Sequence, residues 1–148
     1  MTARIVVVCT GNICRSAMAE VVLRDRIEAD GLDIEVTSAG TSDEERGGPI
    51  DPRAVSVLVE HGYHVPRHHA RQVMRDDLGA DLILAMTRGH KRTLLAFGAD
   101  PARTHLWTEF VAGAGPDVAD PWYGGRRDFE ETLEIIEAGI DGVLAACR

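Results

Sequence analysis

One short stretch of the chain combines a thiol, a glycine-containing loop and an arginine. It follows the apolar run 5–8 and reads Cys9-Thr10-Gly11-Asn12-Ile13-Cys14-Arg15-Ser16. The β-branched run before it predicts a strand, and the residues from Ala17 onward predict a helix. A tight loop between a strand and a helix N-terminus turns its backbone amides towards one point, where the helix dipole favours an anion. The stretch therefore predicts a phosphate-binding loop formed by Thr10, Gly11, Asn12, Ile13, Cys14, Arg15 and Ser16.

Two side chains of this stretch could carry out a reaction on a bound phosphate. Arg15 has a planar guanidinium group that can hold two oxygens of a tetrahedral oxyanion. Cys9 ends the strand beside the loop, where amides and the helix dipole favour the nucleophilic thiolate. A bare cysteine and arginine at this spacing could equally be a buried strand end and a surface charge. The preceding strand and the internal Gly11-Asn12 pair favour the catalytic interpretation.

A second candidate lies far along the chain, in Asp120-Pro121-Trp122-Tyr123-Gly124. Departure of an aryl oxygen from phosphorus requires a proton, so a thiolate site needs a carboxylic acid nearby. We interpret Asp120 as that acid, and Trp122 and Tyr123 as an aromatic wall for a phenyl ring. Taken alone, an Asp-Pro pair is also typical of an ordinary turn.

The elements that must position these residues alternate along the chain. Apolar runs predict strands at 5–9, 34–37, 80–86 and 104–107, and periodic patterns predict helices at 17–30, 52–60, 72–78, 88–97 and 129–147. This order predicts an α/β fold with a single domain over residues 1–148: a four-stranded parallel sheet with helices on both faces. The loop after Cys9 and the long loop 109–125 then lie at the carboxyl edge of the sheet.

Composition restricts the partners and the compartment. The net charge is −8, from 24 acidic and 16 basic residues, which argues against nucleic acid and against anionic membrane surfaces. No apolar run approaches the ~20 residues that span a bilayer, and the N-terminus lacks the form of a signal peptide. With three cysteines in no disulfide pattern, we expect the protein in the cytoplasm. We also expect a monomer. The histidines at 61, 64, 68 and 69 have no cysteine pair beside them, so we expect no metal site.

The Cys9–Ser16 stretch, together with the later Asp120-Pro121 pair and its aromatics, resembles the low-molecular-weight protein tyrosine phosphatase family. Further similar stretches follow in the family's order: Ser38-Ala39-Gly40-Thr41, Asp51-Pro52-Arg53-Ala54, His69-Ala70-Arg71-Gln72-Val73 and Asp128-Phe129-Glu130. The resemblance implies hydrolysis of phosphotyrosine in proteins through a cysteinyl-phosphate intermediate, with inorganic phosphate as product and no cofactor. It assigns Cys9 as nucleophile, Arg15 as phosphate clamp and Asp120 as general acid.

The resemblance also implies a supporting network and a substrate cleft. The network is formed by Asn12, Ser16, Ser38 and His68, with His69 as an adjacent alternative to His68. The cleft is lined by Ile13, Glu44, Trp122 and Tyr123. Two residues depart from the family's pattern, because Ala17 replaces a common proline and Glu44 replaces a common aromatic. One wall of the cleft should therefore be acidic.

Three other functions are compatible with parts of the pattern. A protein-arginine phosphatase of the same fold is indicated by the stretches 84–87 and 107–111, although Ile13 is similar to the branched residue of tyrosine-directed members. An arsenate reductase would need relay cysteines, and only Cys14 and Cys147 remain besides Cys9. A non-catalytic phosphopeptide-binding module would be expected to lack Cys9 or Asp120.

Cys14 lies in the same loop as Cys9, which predicts protection of the nucleophile against oxidation. Peroxide converts a reactive thiolate to a sulfenic acid, and a second thiol within reach can condense with it to a disulfide. Cys14→Ser should therefore keep most of its activity but lose, after peroxide treatment, the recovery that thiol reductants give the parent. Activity assays before and after reduction measure this. Equal recovery of the two proteins would mean that Cys14 is only a small apolar residue packed beneath the loop.

Overall fold

Four parallel strands form the centre of the protein. The computed structural model describes residues 2–147, and its strands are β1 (Ala3–Cys9), β2 (Ile34–Gly40), β3 (Leu82–Ala85) and β4 (Thr104–Leu106). They lie in the order β2-β1-β3-β4, with all neighbours parallel. The predicted four-stranded parallel sheet is thus confirmed. Because β1 is central, the chain leaves the middle of the sheet at Cys9.

Four helices cover the two faces of this sheet. They are α1 (Arg15–Ala29), α2 (Pro52–Glu60), α3 (Arg88–Phe97) and α4 (Arg126–Ala146). Alternate residues of β1 point to opposite faces, so Ile5 and Val7 pack with α1, α2 and α4, while Val6 and Val8 pack with Leu94 of α3. Both faces are therefore buried, as the unbroken apolar run of β1 predicts. None of the helices within residues 2–147 is long and apolar enough to cross a membrane.

The predicted helix at 72–78 is wrong in extent and type. Gln72 instead forms a β-bridge with Gly40, and only a short 3₁₀ helix follows, at Arg75–Gly79. The Asp77 carboxylate explains this, because it accepts a hydrogen bond from the Met74 amide and binds the Arg71 guanidinium through both oxygens. These contacts hold the chain extended before the turn, where local propensity favours a helix.

Other boundaries differ for local reasons. The last helix begins at Arg126 rather than residue 129, since the Asp128 carboxylate accepts a hydrogen bond from the Gly125 amide and satisfies the helix start. Two short 3₁₀ helices, Trp107–Phe110 and Pro121–Tyr123, take up both ends of the predicted loop. The strand predicted at 80–86 is shorter, at Leu82–Ala85. These shifts leave the loops after β1 and β4 on the same edge of the sheet.

Candidate active site

Asn12 fixes the shape of the loop that follows β1. Its backbone is left-handed, with φ of 60°, and its side chain is fully buried. The side-chain nitrogen donates to Ser16 Oγ at 3.0 Å and to Ser38 Oγ at 2.8 Å, while the oxygen accepts from the Arg71 amide at 3.1 Å. The amide thus joins the loop to the start of α1, to β2 and to the segment after residue 70.

The adjacent histidines at 68 and 69 have different surroundings in the fold. His68 Nε2 lies 2.6 Å from the Asn12 carbonyl oxygen and therefore donates to it, whereas His69 lines a different depression. Behind the network, Ser38 Oγ donates to the Glu20 carboxylate at 2.5 Å. The structure therefore brings together all four predicted supporting residues and adds Glu20, which the sequence pattern alone did not single out.

The Cys9 sulfur lies at the floor of the site, with only 2% of the residue exposed. The Ser16 amide donates to Sγ at 3.4 Å, and Ser16 Oγ lies 3.0 Å from the same atom. Donors directed at sulfur stabilise its anionic form. The Ser16 hydroxyl therefore faces the Cys9 sulfur, and among the described residues 2–147 no side chain caps the start of α1.

Arg15 is buried, with 5% of its surface exposed, and its guanidinium group contacts the loop that contains Val118 and Asp120. Its Nη1 donates to the Val118 carbonyl oxygen at 3.0 Å, and its Nη2 lies 3.5 Å from Asp120 Oδ2. Its Nε has no hydrogen-bond partner among residues 2–147. An unsatisfied buried N–H group is costly, and more so on a charged group. A phosphate oxygen would satisfy this donor.

The loop and the far segment enclose one cleft of about 410 Å³. Asn12 and Ser16 are buried and do not line it. The other predicted loop residues and the predicted cleft residues do, and with Cys9 and Asp120 the lining includes Cys9, Thr10, Gly11, Ile13, Cys14, Arg15, Glu44, Asp120, Trp122 and Tyr123. Trp122 and Tyr123 are exposed at its mouth. Within residues 2–147, no group of three or more His, Cys, Asp or Glu side chains is placed to hold a metal ion.

Besides Glu20, the sequence interpretation missed two residues at this site. His90 Nε2 lies 2.8 Å from Thr10 Oγ1, and the His90 amide is capped by the Thr87 hydroxyl in the first turn of α3. Glu45 lines the cleft and packs over Gly11, where an added Cβ would lie 3.1 Å from Glu45 Cγ. Both contacts join segments distant in sequence, so no local pattern marks them.

Cys14 is buried at the N-cap position of α1. Burial, together with the negative charges of Asp51 and Cys9, raises the pKa of the Cys14 thiol to about 12. A protonated thiol attacks a sulfenic acid slowly, because the thiolate is the nucleophile. The protective disulfide remains a prediction, for the peroxide experiment to decide.

A family model described as low molecular weight phosphotyrosine protein phosphatase matches residues 4–148. The chain belongs to this family. A low molecular weight protein-tyrosine-phosphatase of Streptomyces coelicolor is 46% identical to it, covering 100% of this chain and 95% of the relative. The solved structure of a low molecular weight protein tyrosine phosphatase from T. tengcongensis superposes with a TM-score of 0.88 at 37% identity, covering 97% of this chain and 99% of that one.

A protein-arginine-phosphatase of Bacillus subtilis is also similar, at 36% identity over 90% of this chain and 89% of the relative. The higher identity to proteins named tyrosine phosphatases favours the tyrosine branch. The predicted family and its phosphoric monoester hydrolase activity are thus confirmed. Members of this family act on phosphorylated proteins and release inorganic phosphate.

His90 should make the stability of the protein depend on pH. Burial and then the positive charge of Arg15 lower the pKa of His90 to about 4, and the negative charges of Asp120 and Asp117 offset this only in part. The unfolded chain therefore takes up a proton below its usual pKa of 6.5, where the folded chain does not. Stability from this residue is present above pH 6.5 and is lost towards pH 4, by about 3 kcal/mol in total.

The matched variant is His90→Gln, whose side-chain amide nitrogen can take the place of Nε2 beside Thr10 Oγ1 but cannot titrate. The difference in free energy of unfolding between the parent and this variant should fall as the pH falls through this range. Urea unfolding at several pH values measures it, and carboxylates that titrate in both proteins cancel. A difference that stays constant with pH would show that His90 is not held neutral by its surroundings.

Proposed function

We propose that the chain hydrolyses phosphotyrosine in proteins, in two steps at the Cys9 loop. The observation that carries this proposal is the convergence of three groups on one cleft: the Cys9 sulfur, the buried Arg15 guanidinium and the Asp120 carboxyl group. A nucleophile, an oxyanion clamp and a proton donor are the three parts that transfer of a phosphoryl group from a phenol requires.

In the first step, the Cys9 thiolate attacks phosphorus in line with the leaving oxygen. The new P–S bond forms as the P–O bond to the tyrosine ring breaks, and Asp120 gives its proton to the departing phenolate. Arg15 and the loop amides bind the remaining phosphate oxygens, whose charge they stabilise through the transition state. The free Nε of Arg15 supports this role, since it offers a donor to the ligand that no protein group within residues 2–147 uses.

In the second step, the Asp120 carboxylate takes a proton from water, which attacks the phosphorus of the cysteinyl phosphate. The P–S bond breaks, inorganic phosphate forms and the Cys9 thiolate is regenerated. The Ser16 hydroxyl, 3.0 Å from the sulfur, can donate to the leaving thiolate. This position suits departure of phosphate more than attack, because the hydrogen bond gains strength as sulfur becomes negative.

The walls of the cleft support an aryl substrate with basic neighbours. Ile13 and Trp122 offer apolar surface for a phenyl ring, and Tyr123 extends this wall outward. Glu44 and Glu45 make the other wall acidic, and neither has an ion-pair partner within residues 2–147.

The expectations about oligomeric state, compartment and partners also remain proposals. We propose a monomer in the reducing cytoplasm, with three free thiols, which acts on neither nucleic acid nor membranes.

Phosphoarginine is the competing substrate, because the acidic wall could also attract a guanidinium group. We expect the purified protein to show a higher kcat/KM for a phosphotyrosine peptide than for the same peptide with phosphoarginine. Phosphate release from the two peptides measures this, with Cys9→Ser as the inactive control that should still bind inorganic phosphate. Preference for phosphoarginine would assign the chain to the other branch, and substantial activity of Cys9→Ser would disprove the covalent intermediate.

Asp120→Asn should lower turnover by about 10²–10⁴-fold for aryl phosphates whose phenols are weak acids. The deficit should shrink for a strongly acidic phenol, since that group leaves without a proton. Steady-state rates over a series of substituted phenyl phosphates measure this dependence. A loss of the same size for every leaving group would show that Asp120 has a structural role only.

A further inference from the structure

The start of α2 is fastened to the phosphate loop. The Asp51 amide donates to the Ile13 carbonyl oxygen at 2.9 Å, and the Asp51 side chain caps the helix by accepting from the Arg53 amide at 2.8 Å. Only 4% of the Asp51 side chain is exposed. The Asp51 carboxylate therefore has a fixed position relative to the loop that holds phosphate.

Arg53 binds this carboxylate with two of its nitrogens. Its Nε donates to Asp51 Oδ1 at 3.1 Å, and its Nη2 donates to Oδ2 at 2.9 Å. Burial opposes ionisation of Asp51, but the hydrogen bonds from Arg53 outweigh it and hold the pKa of that carboxyl below its usual range. The pair is therefore charged on both sides at neutral pH, which makes it a strong, directional contact.

The third nitrogen of Arg53 reaches the loop of the general acid. Its Nη1 donates to the carbonyl oxygens of Trp122 and Gly124, both at 3.1 Å. The guanidinium also lies over two aromatic rings, 5.2 Å from the centroid of Trp122 and 4.7 Å from that of Phe129. Arg53 thus contacts both the backbone of the short helix Pro121–Tyr123 and the side chain of Trp122 within it.

Asp120 depends on the same short helix for its orientation. It is the N-cap residue, and its Oδ1 accepts from the Trp122 amide at 3.1 Å, while its Oδ2 faces Arg15 at 3.5 Å. We propose that Arg53 is a positioning residue for the general acid, which holds Asp120 over the phosphate loop through Asp51 on one side and Trp122 on the other. This inference rests on the proposed function, because it assigns Arg53 to the proton transfer of that mechanism.

The guanidinium is required here for its shape. Four N–H groups in one plane point to two sides, towards the Asp51 carboxylate and towards the two carbonyl groups of the acid loop. A lysine ammonium is a point charge that cannot serve both sides at once. Arg53 does not line the cleft, so its loss should disturb the acid without removing a contact to phosphate.

The test compares Arg53→Met, Arg53→Lys and Asp120→Asn on substituted phenyl phosphates. We expect kcat/KM of both Arg53 variants to fall by about 10–100-fold for weakly acidic phenols and by much less for strongly acidic ones, as a loss of acid catalysis predicts. The inhibition constant of inorganic phosphate and the rate of Cys9 alkylation by iodoacetate should stay within about threefold of the parent. Combining Arg53→Met with Asp120→Asn should cost little beyond Asp120→Asn alone.

Arg26→Met is the matched control, since Arg26 bridges α1 to Asp141 of α4 at 2.6 Å and does not line the cleft. It should leave the dependence of kcat/KM on the leaving group unchanged.

Two results for the Arg53 variants would overturn the inference, provided that Asp120→Asn still shows the dependence on the leaving group. One is a loss of kcat/KM that is equal for all phenols, and the other is a loss that follows weaker phosphate binding. If Asp120→Asn shows none, the proposed acid fails, and the positioning role falls with it. Arg53→Lys keeps the charge and most of the side chain, so it serves if Arg53→Met does not fold.

Discussion

The side-chain amide of Asn12 is the interaction on which the site depends. It holds a left-handed backbone at the centre of the phosphate loop, and its three hydrogen bonds reach α1, β2 and the segment after residue 70. Without those bonds, neither the loop amides nor the Ser16 hydroxyl would keep a fixed direction towards Cys9. Because the amide is fully buried, each lost partner would leave a polar group unsatisfied in a low-dielectric interior. The loop therefore has one well-defined shape before any ligand arrives.

Arg15 and Arg53 join this loop to the segment that carries Asp120. Arg15 connects from the phosphate side, to the Val118 carbonyl group and to Asp120. Arg53 connects from the side of α2, to the carbonyl groups of Trp122 and Gly124. Neither contact is local in sequence, so the geometry between Cys9 and Asp120 is a property of the whole fold. Arginine suits this connecting role, since its planar, permanently charged guanidinium group can bind partners on two sides at once.

The structural elements that could be predicted were those that depend on local sequence patterns. The β-branched run before Cys9 and the periodic pattern of α4 predicted their elements. Thr10 to Cys14 form the loop between β1 and α1, whereas Arg15 and Ser16 already belong to the first turn of α1. The helix predicted at 72–78 does not form, because the contact between the Asp77 carboxylate and Arg71 overrides the local helix propensity. His90 and Glu45 were missed for a similar reason: their contacts with Thr10 and Gly11 exist only once distant segments meet. Asp120 was predicted from the need of the leaving group for an acid and from the resemblance; it lines the cleft, and its role as the acid remains a proposal.

The acidic wall of the cleft also affects how substrates arrive. A phosphate dianion approaching a protein of net charge −8 is repelled at distances beyond the reach of Arg15, and Glu44 and Glu45 add to this at the cleft mouth. The attractive field of Arg15 and the loop amides acts only at short range, because salt at physiological strength screens charges over about 8 Å. The rates at which acidic and basic phosphoproteins encounter the cleft should therefore change in opposite directions with ionic strength. Added salt should speed the capture of acidic phosphoproteins and slow that of basic ones.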